Sequence, residues 1–315
     1  LKQAVGKLDL INSNTCRCKR TDTERVEDQK MNATFKINDT LNEQGVSSTR
    51  PQVIAVHGSA STGGQWRRLA ADLANMFDVA TPDLPGYGAL HNAIPHGRPT
   101  LSGDANTVAR FIDAAPEPAH IVAHSYGAAV ALNFARKHPH KIASLTLIEP
   151  ALFHLLRSGE ANDLMRYTEI SSIANTVRIS AQFGTPSQSM ACFVDYWNGN
   201  GAWDAMKPSL QSALARQTMQ VARNFEAAMS ETWSAAECRA IKCPTLILAA
   251  EDSREPAKRV AEIISESMPQ ARFVTVAGAG HMAPVTHPDI INPLIAEALV
   301  ATIPGRPEVS HREAA

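Results

Sequence analysis

No run of about 18 consecutive apolar residues occurs in this sequence of 315 residues, so no segment reads as a membrane-spanning helix. The first residues also lack the uninterrupted apolar stretch of a secretory signal. Charge of one sign is missing too: 30 Lys and Arg against 31 Asp and Glu leave a formal charge of -1. No overall field draws the chain onto nucleic acid or an anionic membrane, and neither is expected as a partner. Cysteine is scarce and odd in number, with Cys16, Cys18, Cys192, Cys238 and Cys243 alone, the reverse of a disulfide framework. A reducing compartment is the simpler reading, and the expected location is cytoplasmic. No second Cys/His pair at zinc-finger spacing follows Cys16 and Cys18, and no carboxylate-rich pattern joins His91 to His96, so no metal is expected. Gly86-Tyr-Gly88 and Gly278-Ala-Gly280 are fragments that never complete Gly-x-Gly-x-x-Gly between strand and helix. No phosphate loop with Gly-Lys-Ser/Thr occurs either, so no cofactor is expected.

Apolar residues are plentiful, at 44%, which is enough for a large buried core and excludes a mostly disordered chain. Residues 1–32 are polar and aperiodic and read as a tail, with Met31 a candidate start of translation; residues 304–315 read as a second tail. Strand-like alternation begins at Ala33 to Asp39. From Gln52 onward come short apolar runs, each closed by a turn signal: Val53 to Val56, Val79-Ala80, Ile121 to Ala123, Leu145 to Ile148, Leu246 to Ala249 and Phe273 to Val276. Strands without polar alternation are buried on both faces, as happens where helices cover a parallel sheet. The expected class is therefore α/β, an open sheet flanked by helices, built from residues 33–149 and 237–303. Residues 150–236 break the rhythm. They hold helical stretches such as Leu210 to Met229 and a scatter of aromatics, and they read as a helical cap inserted over the carboxyl ends of the strands.

The most informative segment runs from Ile121 to Leu132, where a buried strand passes through His124-Ser125-Tyr126-Gly127 into an alanine-rich helix. A serine at such an apex adopts a strained backbone, tolerated when the residues two before and two after are small; here they are Ala123 and Gly127. The geometry projects the Ser125 hydroxyl into a cleft and aims the Tyr126 N–H, at the helix start, where an oxyanion would form. A second such donor is expected from the loop Val56-His-Gly-Ser-Ala-Ser-Thr-Gly-Gly64, at Ser59 or its neighbour Ala60. The serine needs a base at the same sheet edge. His281 qualifies, following the last strand and the turn Gly278-Ala-Gly280. His57 and His124 lie at the right edge but directly precede the loop and the serine, and are expected to pack or hydrogen-bond locally.

With these features in order, together with Asp83-Leu-Pro-Gly-Tyr-Gly88, the sequence resembles the α/β-hydrolase superfamily over about residues 33–303. The resemblance implies an eight-stranded, mainly parallel sheet, a helical cap and cofactor-free nucleophilic chemistry. It also frames the third catalytic member. In the family's commoner arrangement the acid follows the strand that starts at Pro244, but that position here is Ser253, with Asp252 one residue away. In the second arrangement the acid follows the strand after the nucleophile helix, where Glu149 ends an apolar run. Glu149 is preferred over Asp252, because a carboxylate there is half buried and an imidazole would satisfy it.

The functional expectation is a serine hydrolase acting on a small to medium carboxylic ester, with an apolar small molecule as its partner. Thioester hydrolysis, carbon–carbon bond hydrolysis and cofactor-free peracid formation use the same residues. The alternative from another class is a non-catalytic small-ligand receptor or regulatory protein on the same fold. Oligomeric state is not legible.

Overall fold

A computed structural model of the protein describes residues 50–303 except Pro95 and Pro116. The tails, the strand expected at Ala33 to Asp39, and Cys16 and Cys18 lie outside the described residues. Among the described residues the sheet has six strands, all parallel: β1 (Gln52–Val56), β2 (Asp78–Ala80), β3 (Ala119–His124), β4 (Ile142–Ile148), β5 (Thr245–Ala250) and β6 (Ala271–Val276). The resemblance implies eight strands; these six are the ones that lie among the described residues. Each strand contains one of the apolar runs read from the sequence. The four inner strands are legible because both of their faces are covered, so hydrophobic pressure acts on nearly every residue; the edge strands β2 and β6 are only partly buried.

Alternate residues of the strands feed two separate cores. Ile54 and Val56, with Ile247 and Ala249, face helices α2 (Leu101–Asp113), α3 (Tyr126–Lys137) and α8 (Glu255–Ser267). Val53 and Ala55, with Leu246 and Leu248, face α1 (Arg67–Leu73) and α10 (Pro288–Val300), which contribute Leu69, Leu73, Ile291, Ile295 and Leu299. The result is three layers, with a sheet between two helical sheaths. The spatial order β2-β1-β3-β4-β5-β6 places a topological switch between β1 and β3, because the chain leaves β1 toward one edge and returns toward the other. Open sheets form a crevice at the carboxyl ends of the strands at such a point. The loop after β1 and the turn after β3 are the two segments that flank it.

Between β4 and β5 the chain is helical: α4 (Ala161–Phe183), α5 (Pro186–Asn198), α6 (Pro208–Ala215) and α7 (Thr218–Met229). Helix α4 stops where Gly184 takes the left-handed conformation, φ 91°. Its first turn is tied to α8 by the buried Asp163, which pairs with both Arg166 and Arg259. The stretch expected to be helical from Leu210 to Met229 is in fact two helices. The Thr218 hydroxyl donates to the Ala215 carbonyl at 2.7 Å and the chain re-enters a helix at Thr218, the local competition expected of a hydroxyl at a helix end. A short helix, α9 (Ala283–Thr286), follows β6 and leads into α10. Among the described residues no helix is long and apolar enough to cross a membrane.

Candidate active site

Ser125 sits between β3 and α3 with φ 53° and ψ -119°, a conformation that costs an L-residue on the order of 1–3 kcal/mol. The surroundings over-determine it. The Ser125 N–H donates to the Ile148 carbonyl at 2.9 Å, and its own carbonyl accepts from both Ala129 and Ala151. Gly127 is required by crowding, since a methyl group there would come within 2.3 Å of the His57 carbonyl oxygen. The methyl of Ala123 is accommodated in the buried sheet. Glu149, at φ 44°, and Ala60, at φ 57°, are the other non-glycine residues with positive φ among those described. All three strained positions lie at the carboxyl ends of β1, β3 and β4, the edge where the switch point opens.

The three side chains read as candidate catalytic groups meet in one line. His281 Nε2 lies 3.0 Å from Ser125 Oγ, and His281 Nδ1 lies 2.5 Å from Glu149 Oε2. With the Nδ1 proton directed at the carboxylate, Nε2 presents its lone pair to the serine hydroxyl. All three residues are buried. Glu149 is well supplied with donors: the Ala250 N–H reaches Oε1 at 2.8 Å and the Ser253 hydroxyl reaches Oε2 at 2.7 Å. A buried carboxylate is tolerable only with such partners. Ser253, the residue that stands where the resemblance's commoner arrangement has its acid, thus donates to the Glu149 carboxylate at the end of the neighbouring strand. Asp252 is exposed; its N–H bonds the Ala279 carbonyl, and its carboxylate is not a hydrogen-bond partner of His281.

Ser59 and Tyr126 line the same narrow cleft as Ser125, a space of about 300 Å³. Its remaining walls are Phe153, Ala151 and five side chains from α5 and α7 that include Phe193 and Trp197. The loop that carries Ser59 is braced by Asp83, whose two oxygens accept from the Gly63 and Ala89 N–H groups, both at 2.7 Å. His57 is confined to this bracing. Its Nδ1 donates to the Gly58 carbonyl at 2.7 Å and its Nε2 accepts the Leu84 N–H at 3.0 Å.

His124 makes a longer-range link than its position suggests. Its Nε2 donates to the backbone carbonyl of His281 at 2.9 Å, and its Nδ1 accepts from Gln65 at 3.2 Å. Burial, followed by the charge of the nearby His281, holds the His124 pKa well below the ordinary imidazole value, so it serves as a neutral strut. The His281 ring is covered by the Trp197 indole, stacked at 3.8 Å between centroids with the planes 23° apart. Sequence reasoning saw only a scatter of aromatics in residues 150–236, without singling out Trp197, and missed Ser253, Gln65 and Asn224 as neighbours of the site. The empty acid position at Ser253 was the one available signal. The others depend on contacts between residues far apart in the chain.

A hydroxyl, an imidazole and a carboxylate so arranged can pass a proton from serine to histidine while the carboxylate holds the imidazole's tautomer and stabilises the cation that forms. The sequence matches the family model described as "Alpha/beta hydrolase family" over residues 53–294, most of the chain, and the chain belongs to that family. It is similar to a pimeloyl-[acyl-carrier protein] methyl ester esterase of Methylococcus capsulatus, with 36% identity over 39% of this chain and 48% of that protein. The chain thus spans about half the length of that relative. An esterase of the same description from Aromatoleum aromaticum is 27% identical over 76% of this chain and 94% of its own. The crystal structure of a hydrolase from Pseudomonas aeruginosa superposes with a TM-score of 0.63 at 23% identity, covering 80% of this chain and 91% of that one, a likeness of fold.

Proposed function

We propose that this protein is a serine hydrolase that cleaves small carboxylic esters through an acyl-enzyme. The observation that carries the reading is the buried line Ser125–His281–Glu149 opening on a cleft walled by aromatics. In the first half-reaction Ser125 Oγ attacks the ester carbonyl carbon while His281 Nε2 takes its proton. The carbonyl oxygen becomes an oxyanion held by the Ser59 and Tyr126 N–H groups. Collapse of the tetrahedral species breaks the bond to the alcohol, which leaves with the proton from His281. Water then repeats the sequence on the acyl-enzyme, giving the carboxylic acid and restoring Ser125. Residues 150–236 act as a cap that closes the cleft, over a core formed by the segments on either side. The relatives described as methyl ester esterases agree with this chemistry, and the limited space beside Ser125 favours short acyl groups. Turnover of nitrophenyl esters tests the reading: activity greatest from acetate to butyrate is expected, and absence of turnover across the whole chain-length series would overturn it.

Trp197 sets the length limit in this reading. The indole also lines a second, larger space of about 910 Å³, bordered by Tyr196, Arg254, Met282 and His287. Trp197→Ala should join the two spaces and move the preferred acyl chain toward hexanoate and octanoate. It should also lower kcat by about tenfold, because the stacked support of His281 is lost. An unchanged chain-length profile in the folded variant contradicts this assignment.

A further inference from the structure

Asn224 lies in the middle of α7, 2% exposed, and nothing in the proposed chemistry uses it. Its side-chain oxygen nevertheless accepts two hydroxyl protons. Ser59 Oγ donates to Oδ1 at 3.0 Å, and the buried Tyr87 hydroxyl donates to the same atom. Two donors on one oxygen fix which way the amide points, so the NH2 group faces away from Ser59 and Tyr87. Asn224 and Tyr126 line the same cleft beside Ser125, and the Tyr126 phenol donates to Asp104 Oδ2 at 2.6 Å. One side chain on a helix inserted between β4 and β5 therefore holds Ser59 and lines the same cleft as Tyr126. These come from loops after different strands and are the residues whose N–H groups would form the oxyanion hole. The Ser59 loop needs such support, because the next residue, Ala60, holds a left-handed conformation with φ 57°.

We propose that Asn224 is a positioning residue that holds the Ser59 N–H donor in place relative to the Tyr126 N–H and makes a productive oxyanion hole depend on the docking of α7. The inference rests on the serine-hydrolase reading above and deepens it. An oxyanion hole acts only when both donors lie at hydrogen-bond distance from the position the oxyanion will occupy, and small displacements are costly. Substrate in its ground state has a neutral carbonyl and places little demand on that spacing. Loss of Asn224 should therefore appear in kcat and leave KM nearly alone.

The test compares Asn224→Ala, Ser59→Ala and the double variant on nitrophenyl butyrate. A second readout is the affinity of an alkylboronic acid, whose boron bonds Ser125 Oγ to form an anionic tetrahedral adduct. Asn224→Ala should lower kcat by about 30-fold with KM changed less than about threefold, and weaken the boronic acid in parallel with kcat. Ser59→Ala keeps the backbone N–H and leaves α7 untouched. It should lower kcat by about fivefold, and the double variant should be no worse than Asn224→Ala alone. Additive effects overturn the proposal, as does a rise in KM at constant kcat. If Asn224→Ala does not fold, a silent Ser59→Ala overturns it alone. Failure of the reading beneath it looks different, since the unsubstituted protein would then neither turn over the ester nor bind the boronic acid.

Discussion

Glu149→Gln should reduce kcat on an ester by about 10³ to 10⁴-fold, the scale seen when the acid of a serine protease triad becomes an amide. Asp252→Asn should leave kcat within about twofold, as expected of an exposed residue outside the proton path. The contrast follows from counting donors. The two oxygens of Glu149 accept from His281, from the Ser253 hydroxyl and from the Ala250 N–H. A glutamine has one oxygen for these three donors, so at least one must face its NH2 group. If His281 is that donor, its ring must lose or turn the Nδ1 proton and the Nε2 lone pair is no longer held toward Ser125. If the backbone N–H is that donor, a buried donor is left unpaired at a cost of about 1–3 kcal/mol. Ser253→Ala removes only one of three donors and should lower kcat by about tenfold or less. The measurement is steady-state turnover on variants whose circular dichroism matches the parent. A nearly silent Glu149→Gln beside a crippling Asp252→Asn contradicts the assignment.

Stability should fall steeply as the pH drops below 6.5. His57, His120, His124 and His154 are buried, and in each case burial is the largest cause that lowers the pKa; that of His154 falls to about 4. Their ordinary value is 6.5, which the unfolded chain recovers. Below 6.5 the unfolded state therefore binds protons that the folded state refuses. The stabilisation is complete above 6.5 and is lost as the pH falls toward the lowered values. Each such histidine steepens the loss of stability in acid, and the four act in the same direction. Asp104 works the other way, because burial raises its pKa and favours the folded state in acid, but it is one group against four. Urea unfolding at pH 7.5 and pH 5.5 should show the midpoint collapsing in acid. A midpoint that stays flat between these values contradicts the picture of four histidines buried neutral.

The parts of the molecule legible in the sequence are those whose causes are local. A buried parallel strand writes itself as a continuous apolar run, which is how β1, β3, β4 and β5 were readable; β2 and β6, partly buried at the sheet edges, showed as shorter or mixed runs. Ser125 was readable because a strained turn demands small neighbours such as Gly127, and His281 because a glycine turn after the last strand leads directly to it. Glu149 and Asp252 could not be separated so readily. The choice depends on which carboxylate the sheet register brings beside the imidazole, and that register is a property of the assembled strands. Asn224 left no trace in the sequence, since it meets Ser59 across 165 positions. Trp197 likewise looks like any packing aromatic until α5 is laid over His281. The break between α6 and α7 was missed because Ala215, Arg216 and Gln217 are adequate helix formers and no glycine or proline marks the turn.

The account stands on Ser125 being a nucleophile activated by His281. Treatment with a fluorophosphonate, followed by intact-mass and peptide analysis, tests this most directly. The expected result is a single phosphonyl adduct on Ser125, absent in Ser125→Ala and formed far more slowly in His281→Ala. Folded protein that takes up no label, or takes it up at another residue, would contradict the account and leave a small-ligand receptor on a hydrolase fold as the better description.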